Sequence, residues 1–220
     1  PCDGGEFQDE SGMTACKICT GAGTYCPRGA ATERLCPAGS YSSMAGLAHP
    51  DNCTACPAGF ACAAGSTVPT PCAPGTMTAT ERQSECARCG GGDFQGQSGS
   101  TACAACVGGS FCPPGASAAL PCLVGSYSSM SSLAHPDNCT ACPAGSACAA
   151  GSTAPTPCAP GTMTATERQS ECAPCDGGEF QDESGMTACK ICTGAGTYCP
   201  RGAATERLCP AGSYSSMAGL

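Results

Sequence analysis

Cysteine spacing constrains this chain more than any other feature. Twenty-five of its 220 residues are Cys, and they fall in a repeating series of gaps. A gap of 13 to 16 residues leads into a C-x-x-C pair, and the second Cys of the pair then usually opens a gap of 5 or 6. Sixteen cysteines begin C-x-x-G and seven begin C-x-x-C, while Cys19 and Cys192 begin the variant C-T-G-A-G. A glycine at a fixed distance after an anchor predicts a tight turn with positive φ. Leu, Ile, Val and Phe together supply only 17 residues, too few for a conventional core. A chain poor in core residues and rich in Cys reads as a disulfide scaffold from an oxidising compartment, secreted or on the cell surface.

The series is nested in longer repeats. Residues 1–47 and 174–220 are identical, a period of 173 residues. Inside it, Cys2, Cys16 and Cys19 recur as Cys89, Cys103 and Cys106, and Cys36, Cys53 and Cys56 recur as Cys122, Cys139 and Cys142. The organisation is therefore a cysteine-rich unit at 1–88, a second at 89–174, and a partial copy of the first at 175–220. The chain reads as a window on a longer array. Cys209 matches Cys36, and its expected partner would lie beyond residue 220, so it is unpaired in this window.

Pairing across each gap gives a nearest-neighbour scheme. Its long loops are Cys2–Cys16, Cys36–Cys53, Cys72–Cys86, Cys89–Cys103, Cys122–Cys139, Cys158–Cys172 and Cys175–Cys189. Its short loops are Cys19–Cys26, Cys56–Cys62, Cys106–Cys112, Cys142–Cys148 and Cys192–Cys199. A crossed scheme, such as Cys53–Cys62 with Cys56–Cys72, follows the EGF-like pattern. It leaves Cys86 and Cys89 to bond across two residues, a strained geometry. The nearest-neighbour scheme is preferred, although spacing alone leaves connectivity open. Either way the links are local. The expected fold is an elongated rod of small disulfide-rich repeats, built from short β-hairpins and turns, with little or no helix and no conventional hydrophobic core. One large side chain per long loop is expected to lie against the disulfide as a miniature core: Phe7, Tyr41, Met77, Phe94, Tyr127, Met163, Phe180 and Tyr214.

Other chemistries are less well matched. Cys86, Cys89, Cys103 and Cys106 have nearly the spacing of a four-cysteine zinc site, as do Cys172, Cys175, Cys189 and Cys192. That reading covers eight cysteines and leaves seventeen continuing the same series. Repeated C-x-x-C pairs without a βαβ setting argue against redox catalysis. His49 and His135 are copies of one surface-loop position. Asp51 and Asn52 lack the clustered oxygen ligands of a calcium loop. No enzyme, cofactor or catalytic residue is expected. The net charge of −8 and the absence of a basic patch argue against a nucleic-acid partner. No apolar run reaches membrane-spanning length. Asn52-Cys-Thr and Asn138-Cys-Thr are N-glycosylation acceptors, and STVPTPC and STAPTPC suit O-linked sugars.

The stretch CPAGSYSSMAGLAHPDNCTACPAGFACAAGSTVPTPCAPGT resembles the ephrin-receptor-like cysteine-rich repeats, part of the wider growth-factor-receptor and TNF-receptor-like class. The likeness runs through the whole chain in its C-P-A-G-[ST]-Y and C-x-x-C-P-A-G elements. It implies a surface or matrix protein of the kind found in long protist and algal arrays, where the class serves adhesion, reception and fibres alike. Near-perfect long-range repetition favours a structural filament, such as a flagellar hair (mastigoneme) or surface fibre. Its partners would be copies of itself, other matrix proteins or glycans. An adhesin or receptor ectodomain is the second expectation. The half-repeats differ mainly between 3–35 and 90–121, where a binding face would be sought.

Overall fold

The computed structural model describes residues 1–214, so residues 215–220 of the expected partial copy lie outside it. Among the described residues the chain forms twelve two-stranded sheets whose strands are two residues long. Strand β1 (Glu6–Phe7) pairs antiparallel with β2 (Lys17–Ile18), placing Glu6 opposite Ile18 and Phe7 opposite Lys17. Strand β3 (Thr24–Tyr25) pairs in the same way with β4 (Arg34–Leu35). The helical content is two single 3-10 turns, Pro50–Asn52 and Pro136–Asn138. The fold is thus a series of small disulfide-rich hairpin repeats.

The C-x-x-G element starts most hairpins for a definable reason. In Pro37-Ala38-Gly39-Ser40, the Ser40 N–H donates to the Pro37 carbonyl at 3.0 Å, and Gly39 has φ +82°. Positive φ at the third position is the requirement of a type II turn. The Ser40 hydroxyl also donates to the Pro37 carbonyl, at 2.6 Å. The same clip recurs at Ser66, Thr76, Ser110 and Ser126. At these positions the residue after the glycine closes the turn twice, once through its amide and once through its hydroxyl.

Two compact units arise along the chain, one of Pro1–Ala104 with Pro114–Ala118, the other of Ala105–Pro113 with the chain from Ala119 onward. Within each, backbone hydrogen bonds tie one hairpin to the next. In the first, the Gly5 N–H donates to the Cys26 carbonyl at 2.8 Å and the Gly29 N–H donates back to the Cys2 carbonyl at 2.9 Å. A parallel bridge joins Phe7 to Ala30. In the second, Gly178 donates to Cys199, Gly202 donates to Cys175, and Phe180 bridges Ala203. An isolated two-stranded hairpin is marginal in water, so this serial docking supplies what the short strands lack.

The interior is made of sulfur. Nineteen of the twenty-five buried apolar residues are half-cystines, and the others are Ala30, Leu47, Phe111, Ala116, Leu133 and Ala203. Two of the large side chains expected against their own loop's disulfide, Phe7 and Phe180, are placed differently. Phe7 belongs to the Cys2–Cys16 hairpin but packs on Cys19, Cys26 and Ala30 of the next one. Phe180 likewise packs on Cys192, Cys199 and Ala203. The Phe7–Ala30 bridge causes this offset, because it turns the first strand toward its neighbour. Tyr41, Met77, Phe94, Tyr127 and Met163 are half-buried, whereas Tyr214 is 88% exposed.

Candidate functional site

Chemistry along this chain is concentrated in its half-cystines and in one recurring surface turn. Each hairpin contains one disulfide, formed within itself. The long links are Cys2–Cys16, Cys36–Cys53, Cys72–Cys86, Cys89–Cys103, Cys122–Cys139, Cys158–Cys172 and Cys175–Cys189. The short links are Cys19–Cys26, Cys56–Cys62, Cys106–Cys112, Cys142–Cys148 and Cys192–Cys199. All span Cα separations of 5.6 to 6.1 Å, within the ordinary range for a disulfide. Cys53 and Cys56, the two ends of a C-x-x-C, sit in different links. Cys86, Cys89, Cys103 and Cys106 are divided among three links, so the zinc spacing does not gather them at one point.

The links differ in exposure. Both sulfur-bearing residues of Cys56–Cys62 are fully buried. In the Cys2–Cys16 link the second Cys is exposed, and in the Cys72–Cys86 link it is half-buried. Cys53 and Cys139 are buried because Leu47 and Leu133 pack on them. Cys209 is free and half-buried. Its N–H donates to the Gly196 carbonyl at 2.8 Å, just as Cys36 donates to Gly23.

The sequence AHPDNC forms a capped 3-10 turn. The Asn52 Oδ1 accepts the His49 N–H at 3.0 Å, and the His49 Nδ1 accepts the Asp51 N–H at 3.4 Å. His135, Asp137 and Asn138 repeat the arrangement. Cysteine spacing carries no trace of this reciprocal cap, and from the sequence His49 and His135 are surface-loop positions only. The capping-box pattern was its available signal, with His in the place usually taken by Ser or Thr. Asn52 and Asn138 are exposed, as are Thr54 and Thr140 two residues on. Capping uses the amide oxygen of each Asn, while a sugar would attach to its nitrogen.

Two further polar groups stiffen the loops. The Glu33 carboxylate accepts the Thr20 and Gly21 N–H groups at 2.9 and 3.2 Å and lies 3.4 Å from the Thr24 hydroxyl. It fills in for the longer turn of C-T-G-A-G, and Glu206 does the same at Thr193 and Gly194. The Lys17 ammonium bonds the Asp9 carboxylate at 2.6 Å across the first hairpin's loop. That bond, aided by a backbone hydrogen bond, holds the Asp9 carboxyl below the usual carboxylate range. The same contact raises Lys17. Asp182 and Lys190 repeat the pair.

No family model matches the chain, and no curated protein matches it. Tandem hairpins with twelve disulfides fit an extracellular structural or binding module. Among the described residues no helix is long and apolar enough to cross a membrane.

Proposed function

We propose that the chain is a structural segment of an extracellular filament or cell-surface fibre, without catalytic activity of its own. One observation carries this reading. Hairpins dock on their neighbours through the same backbone bonds again and again, as in Gly5 to Cys26, Gly39 to Cys62 and Gly59 to Thr78. A pattern of that kind lets an array be extended without redesigning any module. The identity of 1–47 with 174–220 supports it further, since identical units present identical lateral surfaces from which open assemblies can grow. The likeness to ephrin-receptor-like repeats belongs to the same proposal, as do the partners it implies: copies of this chain, matrix proteins and attached glycans. Electron microscopy of the purified protein tests it. Regular fibres with an axial repeat tied to the 173-residue period are expected. Dispersed monomers at every concentration would overturn it.

Glycosylation at Asn52 and Asn138 is part of this reading. It is supported by their exposure and by the free amide nitrogen that each turn leaves. Peptide mass spectrometry before and after enzymatic removal of N-glycans checks both positions.

A further inference from the structure

Two arginines and a serine stand where the fold elsewhere uses glycine. After the first hairpin, a second positive-φ residue recurs whose N–H donates to the carbonyl of a half-cystine in the preceding hairpin. Gly65 donates to Cys36, Gly99 to Cys72 and Gly151 to Cys122. At the equivalent places Arg82 donates to Cys56, Ser132 to Cys106 and Arg168 to Cys142, with φ of 63°, 58° and 64°; the serine is short, whereas each arginine carries a long cation into the same place. A side chain in this left-handed conformation is strained relative to glycine, because its Cβ crowds the following carbonyl. Neither guanidinium forms an ion pair among the described residues to offset that cost. Strain of this kind, present in both half-repeats, directs attention to what the side chain faces.

Arg168 forms one wall of a cavity of about 390 Å³, lined also by Leu123, Val124, Ser126, Pro136 and Asp137. Leu123 and Val124 are 65% and 63% exposed, a pair of aliphatic side chains left uncovered on an acidic, polar surface. Asp137 brings a carboxylate, held by the 3-10 turn and 3.1 Å from the His135 Nδ1. The residues around this cavity thus include an arginine, a carboxylate and a hydroxyl beside an apolar wall, and the arginine side chain is long enough to reach a small ring seated there.

We propose that this cavity binds one uronic-acid residue of an acidic polysaccharide. The guanidinium receives the sugar carboxylate through paired hydrogen bonds. The Asp137 carboxylate and the Ser126 oxygen accept ring hydroxyls. The C–H face of the ring lies on Leu123 and Val124. Asp137 favours the sugar over an acidic side chain, because ring hydroxyls give it donors that a Glu or Asp carboxylate lacks. The corresponding place in the first half-repeat has Arg82, Asp51, Ser40 and Pro50, but Pro37 and Ala38 in place of Leu123 and Val124. It keeps the polar groups and loses most of the apolar wall, so it binds the same sugar more weakly. This site does not depend on the fibre reading, because ligand binding is measured in solution on dispersed protein.

The test titrates the full chain with oligogalacturonate, using a neutral malto-oligosaccharide and poly-glutamate as controls, followed by calorimetry and by NMR shifts at Arg168. Oligogalacturonate alone is expected to bind, with shifts at Leu123, Val124 and Asp137, and added salt should weaken it. Arg168→Gly should reduce affinity at least tenfold without loss of fold, since glycine occupies this backbone position in most hairpins. The double change Leu123→Pro with Val124→Ala, which copies the first half-repeat, should also weaken binding, whereas Arg82→Gly should leave the Arg168 cavity's shifts intact. No oligogalacturonate binding, equal binding of either control, or full affinity in Arg168→Gly would each overturn the assignment.

Discussion

The backbone carbonyl of Arg82 occupies the space that a Cβ on Gly39 would need, although a whole hairpin lies between theirs in sequence. The same relation joins Gly5 to Gly46, Gly23 to Gly65 and Gly59 to Gly99 in the first compact unit. In the second it joins Gly109 to Gly151 and Gly145 to Gly185. Hydrogen bonds hold each hairpin to its neighbour, and glycine packing holds it to the one after that. The C-x-x-G glycine therefore meets two demands at once, a positive φ and a bare approach for a carbonyl.

Gly39→Ala separates those demands when set beside Gly12→Ala. Gly12 has φ +80° and nothing within 4 Å of an added Cβ. Its replacement should cost about 1 kcal/mol, from backbone conformation alone. Gly39→Ala should cost about 3 kcal/mol or more, because a backbone carbonyl must move. Amide exchange should then speed up at Arg82 as well as at Gly39. Equal costs for the two substitutions would remove the close approach from the account.

Disulfide accessibility predicts an order of reduction. Brief treatment with a small phosphine, then alkylation and peptide mapping, should label Cys2–Cys16 and Cys72–Cys86 before Cys56–Cys62. The first two each have a Cys open to solvent in whole or in part, and the third has none. Closing a loop of this size contributes about 3 kcal/mol on the chain-entropy model, so each loss should loosen its own hairpin. Labelling that begins at Cys56 and Cys62 would contradict the burial pattern.

Glu33 should matter more than its surface position implies. Glu33→Ala leaves the Thr20 and Gly21 amides without their acceptor and should cost about 1–2 kcal/mol. Glu33→Gln keeps an oxygen that can accept both and should recover most of the loss. Exchange rates at Thr20 and Gly21, compared across the three proteins, give the readout.

The Lys17–Asp9 contact carries a signed pH dependence. The Asp9 carboxyl is lowered in the folded chain, so its contribution is complete above about 3.9 and fades as pH falls through the lowered value. Lys17 is raised, so its contribution is complete below about 10.4 and fades as pH rises through the raised value. Carboxyl-carbon NMR should find the Asp9 midpoint below about 3.9, and Lys17→Met should return it most of the way. An unmoved midpoint in Lys17→Met would assign the shift to the backbone instead.

The hairpin architecture was legible in the sequence because its links are local. A disulfide such as Cys56–Cys62 closes a loop of neighbouring residues, and its gap length is written directly in the chain. The direction in which hairpins dock has no such trace. Phe7 was expected on its own disulfide and lies on the next, because the Phe7–Ala30 bridge pairs residues with no marked complementarity. Tyr25 and Phe111 follow the same Gly-[Ser/Thr] step as Tyr41, but in the short loops, outside the long-loop pattern of aromatic positions. Leu47 and Leu133 carry no periodic signal, yet they cover Cys53 and Cys139. The Arg168 cavity was equally hidden, since its walls come from three separate stretches of the chain.

Confinement of every disulfide to its own hairpin sets what tension along the chain would meet. Among the described residues no sulfur bridge crosses from one hairpin to the next, so the docked surfaces can be peeled apart without breaking a covalent bond. Once they part, load would run through the bridge of Cys2–Cys16, bypassing its loop, and then through only Lys17 and Ile18 to Cys19. Across the next hairpin the bridge of Cys19–Cys26 leaves the stretch from Pro27 to Leu35 free to straighten. The short-link hairpins thus hold most of the releasable slack, and the long-link hairpins act as stops.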